Sequence, residues 1–422
     1  MKQKLRVVWV CHLSNTEIRT HLPMKVPFVE RLVRRVMHNP SKENSDFAVW
    51  NTNGIHEMEK MADKVELYVV APCHYLIPKE VRFELRGVHY YFFQDKPSFL
   101  YLEARKRLLK KYEYDYESNR AYIKKEIEAI NPDIVHIIGA ENPYYSLSAF
   151  DIPSTIPSII QLQTLISDPK FKDGYFMRAG DYSFRKKVEE AILQKSTYIG
   201  TTADAFLPIL KQTNPNAKVL PICLALTEPT SRRSHETKYD FVYFASSINK
   251  AADLAVEAFA IAHIAHPEIT LDIVGGGTSE FINELNGRIE ALGLSDAITI
   301  EGRLSTHDDV INQIRKSKFA LLPLKVDLIS GTIREAMANG LPVVTTITSA
   351  TPELNEKREC ALLSVTGDHH AMAHNMCVLI ENKEFAECLS VNCLVTSSEK
   401  KTNFDYMKEW LRTYEEIIKQ CI

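Results

Sequence analysis

Short apolar runs rich in β-branched residues alternate with stretches of helical periodicity along most of this 422-residue chain. In its first half these runs show no regular alternation of polar and apolar residues, which is typical of strands buried on both faces of a parallel sheet. We therefore predict strands at Leu5–Cys11, Val65–Val70, Asp133–Ile138, Ser158–Gln163 and Ser196–Gly200. Helices are predicted around Gly54–Met61 and at Phe184–Gln194.

A polar, proline-containing segment, Thr227–Glu236, interrupts this pattern and is typical of a linker. The alternation then restarts, with strands predicted at Phe241–Phe244, Thr270–Val274, Ile298–Ile300, Phe319–Leu322 and Pro342–Thr345. The predicted fold class is α/β, with doubly wound domains at residues 1–222 and 236–399 and an amphipathic helix within 400–422. Ligands of such sheets bind beyond the carboxyl ends of the strands, so we expect the active site in the cleft between the domains.

The composition excludes several classes of protein. A net charge of −3 is not that of a nucleic-acid-binding domain, and no apolar run approaches the ~18 residues of a membrane span. The eight cysteines include no C-x-x-C pair, which argues against a zinc or redox motif. We expect reduced cysteines in a cytoplasmic protein.

The most informative segment runs from Asp327 to Val344. Within it, Ser330-Gly331-Thr332 opens a predicted helix whose free N–H groups suit a phosphate or sugar hydroxyls. Glu335 follows one turn later, on the same face as Gly331, where a carboxylate accepts two hydrogen bonds from a ribose diol. A capped helix with an acidic first turn has the same pattern, and the residues alone leave both interpretations open.

This segment resembles the hallmark of the retaining family 4 glycosyltransferases, which have the GT-B fold: an acidic residue, seven residues, then Glu-Ala-Met-Ala-x-Gly-x-Pro-Val-Val. The resemblance implies that Glu335 binds the nucleotide ribose and that Asp327, where the family usually has Glu, lies beside the donor sugar. It implies that the loop between them contacts sugar and diphosphate, through Ser330 and the backbone amides of Gly331, Thr332 and Ile333.

Three further segments resemble the family in the same order. Gly275 and Gly276 follow a predicted strand and would turn beside the nucleotide, and Arg303 would lie near the base. Lys250 matches the family's diphosphate-binding Lys, whose ammonium neutralises the leaving group. The family's Arg is absent from this neighbourhood. An ordinary strand-to-helix turn and solvated cations are the alternative interpretations.

The first half resembles the family less. Gln163 stands where the family often has a His near the donor sugar, and the family's glycine-rich loop is replaced by His12–Arg19 and Asp46–Asn51. From these loops Asn15 and Trp50 are candidates for contact with the acceptor, the alternative being solvated loop residues. A mixed basic and aromatic segment begins with Arg105, Lys106, Arg107, Lys110 and Lys111. It suggests peripheral contact with the inner face of a cell membrane, or else a solvated helix face.

We therefore expect a glycosyltransferase that moves a sugar from a nucleotide-diphosphate sugar to an acceptor hydroxyl with retention of configuration, in cell-surface polysaccharide or glycan synthesis. The resemblance implies a carbohydrate or lipid-linked sugar acceptor, no metal, no cofactor, and a last helix that crosses back to the first domain. Two alternatives stay open: a sugar-nucleotide epimerase on the same fold, and a non-catalytic GT-B protein.

Overall fold

The computed structural model describes residues 4–36, 43–169, 171, 177–225, 237–325, 331–348 and 351–421. The predicted linker, Thr227–Glu236, lies outside these residues. None of the described helices is both long enough and apolar enough to cross a bilayer.

The first domain is built on one mostly parallel sheet. Its strands are β1 (Leu5–Val10), β2 (Val65–Cys73), β3 (Glu80–Leu85), β4 (Val88–Gln94), β5 (Ile134–Ile138), β6 (Ser158–Gln161), β7 (Tyr198–Gly200) and β8 (Lys218–Leu220). They lie in the order β3-β4-β2-β1-β5-β6-β7-β8, and only the β3–β4 pairing is antiparallel among those described. The central strands β1 and β5 are buried on both faces, as their apolar sequences predicted.

Helices cover both faces of this sheet. They are α1 (Thr16–Thr20), α2 (Phe28–Val36), α3 (Val49–Glu59), α4 (Phe99–Leu108), α5 (Glu117–Ile130), α6 (Pro143–Ser146), α7 (Ala179–Lys195) and α8 (Leu207–Thr213). Two buried clusters, one on each side of the sheet, form the core of the domain.

The second domain has a fully parallel sheet. Its strands are β9 (Tyr239–Ser247), β10 (Leu271–Gly276), β11 (Ile298–Gly302), β12 (Ser317–Leu322), β13 (Val343–Thr346) and β14 (Ala361–Ser364), in the order β11-β10-β9-β12-β13-β14. The helices are α9 (Ala252–Ala265), α10 (Ser279–Ala291), α11 (His307–Ile314), α12 (Gly331–Ala338), α13 (His369–Glu381) and α14 (Lys383–Ser398). Both predicted doubly wound sheets are present, which confirms the predicted fold class.

The last helix, α15 (Asn403–Cys421), packs its apolar side chains into the core of the first domain. Trp410 and Tyr414 lie buried against β1 and β5. The Trp9 Nε1–H donates to the Tyr414 hydroxyl at 3.1 Å, and His136 Nδ1 lies 2.6 Å from the same oxygen. Burial lowers the pKa of His136 to about 3, so its imidazole is neutral in the folded protein. The predicted crossing back of the C-terminal helix is therefore confirmed.

We predict that Tyr414→Phe destabilises the protein by about 1–3 kcal/mol, because it leaves the buried Trp9 N–H and His136 Nδ1 without their shared partner. Urea unfolding measures the change. Tyr101→Phe, at a side chain that is 50% exposed, is the matched control and should change the free energy of unfolding little. Equal stability of the two variants would contradict the role given to the Tyr414 hydroxyl.

Candidate active site

The order of strands in the second sheet reverses between β9 and β12. In doubly wound sheets the crevice at such a reversal, beyond the carboxyl ends of the strands, is where ligands bind. Lys250 follows β9, and the start of α12 with Glu335 follows β12. Two segments predicted from sequence to bind the donor therefore flank the crevice from its two sides.

Lys250 closes a short 3-10 helix, Ile248–Lys250, between two anchored neighbours. Ile248 is fully buried, and the backbone N–H of Ala251 donates to the Tyr243 hydroxyl at 3.2 Å. The Lys250 side chain itself is half-buried. Its backbone is thus fixed at the end of β9 while the ammonium is carried on a flexible stem.

Gly275 and Gly276 let the end of β10 pass close to its neighbours. Gly275 has φ +141°, and a Cβ built there would lie 2.0 Å from the carbonyl oxygen of Ala245. A Cβ on Gly276 would lie 2.5–2.8 Å from the guanidinium atoms of Arg303. Gly275 is required by the backbone, whereas Gly276 makes room for the Arg303 side chain to lie against the chain.

Arg303 is the cation that fills this space. Its side chain is exposed, and Nη2 donates to the carbonyl oxygen of Ser246 at 3.3 Å, with no carboxylate partner within the described part of the chain. Desolvation by the surrounding protein lowers its pKa below the ordinary range of arginine. A guanidinium in this position is arranged for an anion.

Arg334, which directly precedes Glu335, lies near Lys400. Its charge contributes to the lowered pKa of Lys400, which arises first from desolvation. Lys400 stands just before α15, at the chain crossing between the domains. Arg303, which contacts the end of β9 at the Ser246 carbonyl, is therefore the candidate for a second cation on this side of the site.

Glu335 faces a histidine that also contacts the first domain. His307 Nε2 lies 3.5 Å from Glu335 Oε1, and the His307 backbone N–H donates to Asp46 Oδ2 at 3.3 Å. Asp46 is held by Arg19 at 2.7 Å. The two side chains at this contact, His307 and Glu335, are 22% and 18% exposed. The predicted ribose carboxylate is thus accessible to a ligand and adjoins the contact between the domains.

The loop before Glu335 is described only from Gly331 onward. A Cβ added at Gly331 would meet no atom within 4 Å, so its backbone borders open space. Thr332 is half-buried, whereas the side chain of Ile333 is fully buried and leaves only its backbone for a ligand. Asp327 and Ser330 lie outside the described residues.

The three candidates for acceptor contact in the first domain differ in whether their polar side-chain atoms already have hydrogen-bond partners. Asn15 caps α1 by accepting from the Ile18 N–H at 2.8 Å, so its side-chain oxygen serves the fold. Gln163 donates to the Ile138 carbonyl at 3.0 Å. The half-buried Trp50 has an Nε1–H without a hydrogen-bond partner among the described residues. The Trp50 Nε1–H is buried from solvent in this structure, so a ligand would reach it only after a local rearrangement.

The sequence analysis did not single out Glu141, which follows β5 at the cleft edge of the sheet. Its carboxyl group lies over Gly139 (φ +107°), where a Cβ would come within 3.0 Å of both carboxyl oxygens. Oε1 accepts from Asn142 Nδ2 at 2.8 Å, and Oε2 has no partner within the described ranges. Burial raises the pKa of Glu141 to about 7. Its position shortly after the predicted strand Asp133–Ile138 was the available signal.

Residues 239–382 match the family model described as glycosyl transferases group 1. Over 105 residues the chain is 30% identical to a mannosylfructose-phosphate synthase of Agrobacterium fabrum. That match spans 24% of this chain and 23% of the relative. The matched family segment includes Lys250, Arg303 and Glu335.

Solved structures resemble the whole chain. A sucrose-phosphate synthase from Thermosynechococcus elongatus has a TM-score of 0.69 at 14% identity, covering 99% of this chain and 100% of that one. Anabaena HepE, in complex with UDP and glucose, has a TM-score of 0.65 at 14% identity over 98% and 100% of the two chains. These likenesses confirm the GT-B fold, and together with the family match they support a GT-B glycosyltransferase.

Proposed function

We propose that this protein transfers a sugar from a nucleotide-diphosphate sugar to an acceptor hydroxyl with retention of anomeric configuration, in polysaccharide or glycan synthesis. The proposal rests on the Arg303 guanidinium, which is exposed and lies over Gly276. It has no acidic partner among the described residues and lies beside the crevice where the strand order reverses between β9 and β12. A diphosphate supplies the missing negative charge, and the matched family is one of sugar transferases.

The donor is held by groups on both sides of the crevice. Glu335 accepts hydrogen bonds from the ribose, and the backbone at Gly331 borders the space where the sugar and diphosphate lie. Lys250 and Arg303 face the diphosphate. As the glycosidic bond breaks, charge accumulates on this leaving group, and fixed cations stabilise that state more than the bound substrate. Asp327 and Ser330 complete the loop in this proposal.

The acceptor binds on the first-domain side, beside Trp50 and Gln163, and is a carbohydrate or a lipid-linked sugar. Retention follows if the leaving diphosphate takes the acceptor proton, so that no protein base is needed. Glu141, whose pKa of about 7 would suit a base, is only 5% exposed. Its free oxygen is inaccessible to solvent in this structure, which argues against direct proton transfer from an acceptor.

We predict that Glu335→Gln lowers donor affinity roughly tenfold to a hundredfold with a smaller effect on turnover, because the ribose contact is equally strong in ground and transition states. Lys250→Ala should instead lower turnover by about a hundredfold, because its charge acts on the leaving group. Calorimetry measures affinity and nucleotide release measures turnover.

Glu290→Gln and Lys383→Ala, at exposed positions of the same domain, are the matched controls. Unchanged affinity and turnover in both site variants would refute the site. A wild-type protein that binds nucleotide tightly but transfers sugar to no acceptor would favour the non-catalytic alternative.

Transfer should proceed within about twofold of its normal rate in excess EDTA, because Lys250 and Arg303 supply positive charge to the diphosphate in place of a metal ion. The measurement is product formation before and after dialysis against the chelator. Activity that disappears and returns with magnesium or manganese would show that the two side chains do not suffice.

Glu141→Gln should leave transfer within about threefold of wild type and raise stability most above pH 7. The unfolded carboxyl group ionises near pH 4.5 and the folded one near pH 7, so the folded protein loses stability as pH rises between these values. A shift of this size corresponds to roughly 3 kcal/mol. Urea unfolding at pH 5 and pH 8, with rates measured alongside, separates the effects. A thousandfold loss of transfer at unchanged stability would identify Glu141 as the base and overturn the retaining mechanism.

A further inference from the structure

Helix α2 exposes its apolar side chains to solvent. Phe28, Val29, Leu32 and Val36 are 78%, 59%, 51% and 72% exposed. At about 100° per residue these four positions fall within an arc of about 100° on one side of the helix. A contiguous outward apolar face is uncommon on a monomeric protein and marks an interaction surface.

The inward face of the same helix is ionic. Glu30 is 2% exposed, pairs with Arg34 at 2.8 Å and lies 3.3 Å from His74 Nε2. The Arg34 guanidinium stacks over the Phe99 ring of α4, 3.6 Å from its centre. Although burial opposes it, hydrogen bonds to Asp95 and Glu30 raise the pKa of His74 to about 9. Ion pairs therefore hold α2 in place with its apolar side chains pointing outward.

Within the segment from Pro23 to Val36 the exposed charged side chains have one sign. Lys25, Arg31 and Arg35 are exposed, and Glu30, the acidic residue between Pro23 and Val36, is buried. Ile77, 60% exposed, extends the surface, since its backbone N–H donates to the Pro23 carbonyl at 2.9 Å. An exposed apolar stripe bordered by cations is the pattern of a helix that lies in a bilayer interface.

The neighbouring helix α4 adds to this surface in a way its sequence did not suggest. Of its predicted membrane-binding cations, Lys106 pairs with Asp181 at 2.7 Å and Arg107 with Glu103 at 3.1 Å. These contacts reduce the charge that the segment offers to a ligand. Its outward side chains are instead apolar, with Tyr101 50% and Leu108 79% exposed.

We propose that the outward face of α2 docks on a lipid bilayer that contains anionic headgroups. The apolar side chains enter the interface, and Lys25, Arg31 and Arg35 contact the headgroup phosphates. A second copy of the chain fits less well, because a two-fold contact through this face would bring these cations against their own equivalents. The surface belongs to the first domain and the proposed donor-binding residues belong to the second, and the proposal does not require the catalytic assignment to hold.

The test is co-sedimentation of the full-length protein with vesicles of phosphatidylcholine alone and of phosphatidylcholine with phosphatidylglycerol. Wild type should bind the anionic vesicles, and Phe28→Ser/Leu32→Ser should weaken binding at least about tenfold. Arg31→Gln/Arg35→Gln should weaken it mainly at low salt. Ile264→Ser, at an 83% exposed side chain of the second domain, is the matched control and should bind like wild type.

Thermal melting and donor affinity should be unchanged in all these variants, since every substituted side chain is exposed and distant in sequence from the donor segments. Equal binding of wild type to both vesicle types, or no binding to either, would overturn the proposal. A wild-type dimer that Phe28→Ser/Leu32→Ser converts to a monomer, with no lipid binding, would assign the face to a second copy instead.

Discussion

The docking of helix α15 on the first sheet fixes how the two domains are arranged. Because α15 follows the second domain in sequence and packs on the first, the chain passes between the domains twice. Tyr414 anchors it through Trp9 and His136, and Trp410 Nε1–H donates to the Cys223 carbonyl at 2.8 Å, near the end of the first domain. Helix α15 therefore contacts both the first strand of the first domain and the segment where that domain ends.

Within the cleft between the domains the donor site is made largely of backbone at strand ends. Gly275 is required by its close approach to Ala245, and Gly276 by the guanidinium of Arg303. Because the described partner of Arg303 is a carbonyl rather than a carboxylate, an anionic ligand would supply an opposite charge to this guanidinium. The family's arginine beside Lys250 is absent from this sequence, and the Arg303 guanidinium contacts the same segment at the Ser246 carbonyl.

The fold was predictable where strands are buried on both faces, because a short continuous apolar run such as Val7–Val10 is typical of a strand in a parallel sheet covered on both sides. The antiparallel β3–β4 hairpin was not predicted, although Arg86 and Gly87, both at positive φ, form the two-residue turn that such hairpins favour. The donor-residue candidates came from local sequence and stay predictions, since the structure shows only that Lys250 and Glu335 flank the same crevice. Glu141 and the outward face of α2 did not come from local sequence, because burial of a carboxylate and exposure of a Phe depend on contacts distant in sequence.

The contact between the domains adjoins the donor site through one residue. The His307 backbone is held by Asp46 of the first domain, and its imidazole faces Glu335 of the second. Separation of the two domains would break the hydrogen bond between the His307 backbone and Asp46 and would free His307, which lies beside Glu335. A nucleotide bound at Glu335 could have different affinities for the open and closed arrangements of the domains. In that case closure changes the affinity, and binding shifts the closure equilibrium by the same free energy. If the donor binds Glu335 as proposed, its binding is coupled through His307 to the position of the first-domain loop that carries Asp46 and Trp50.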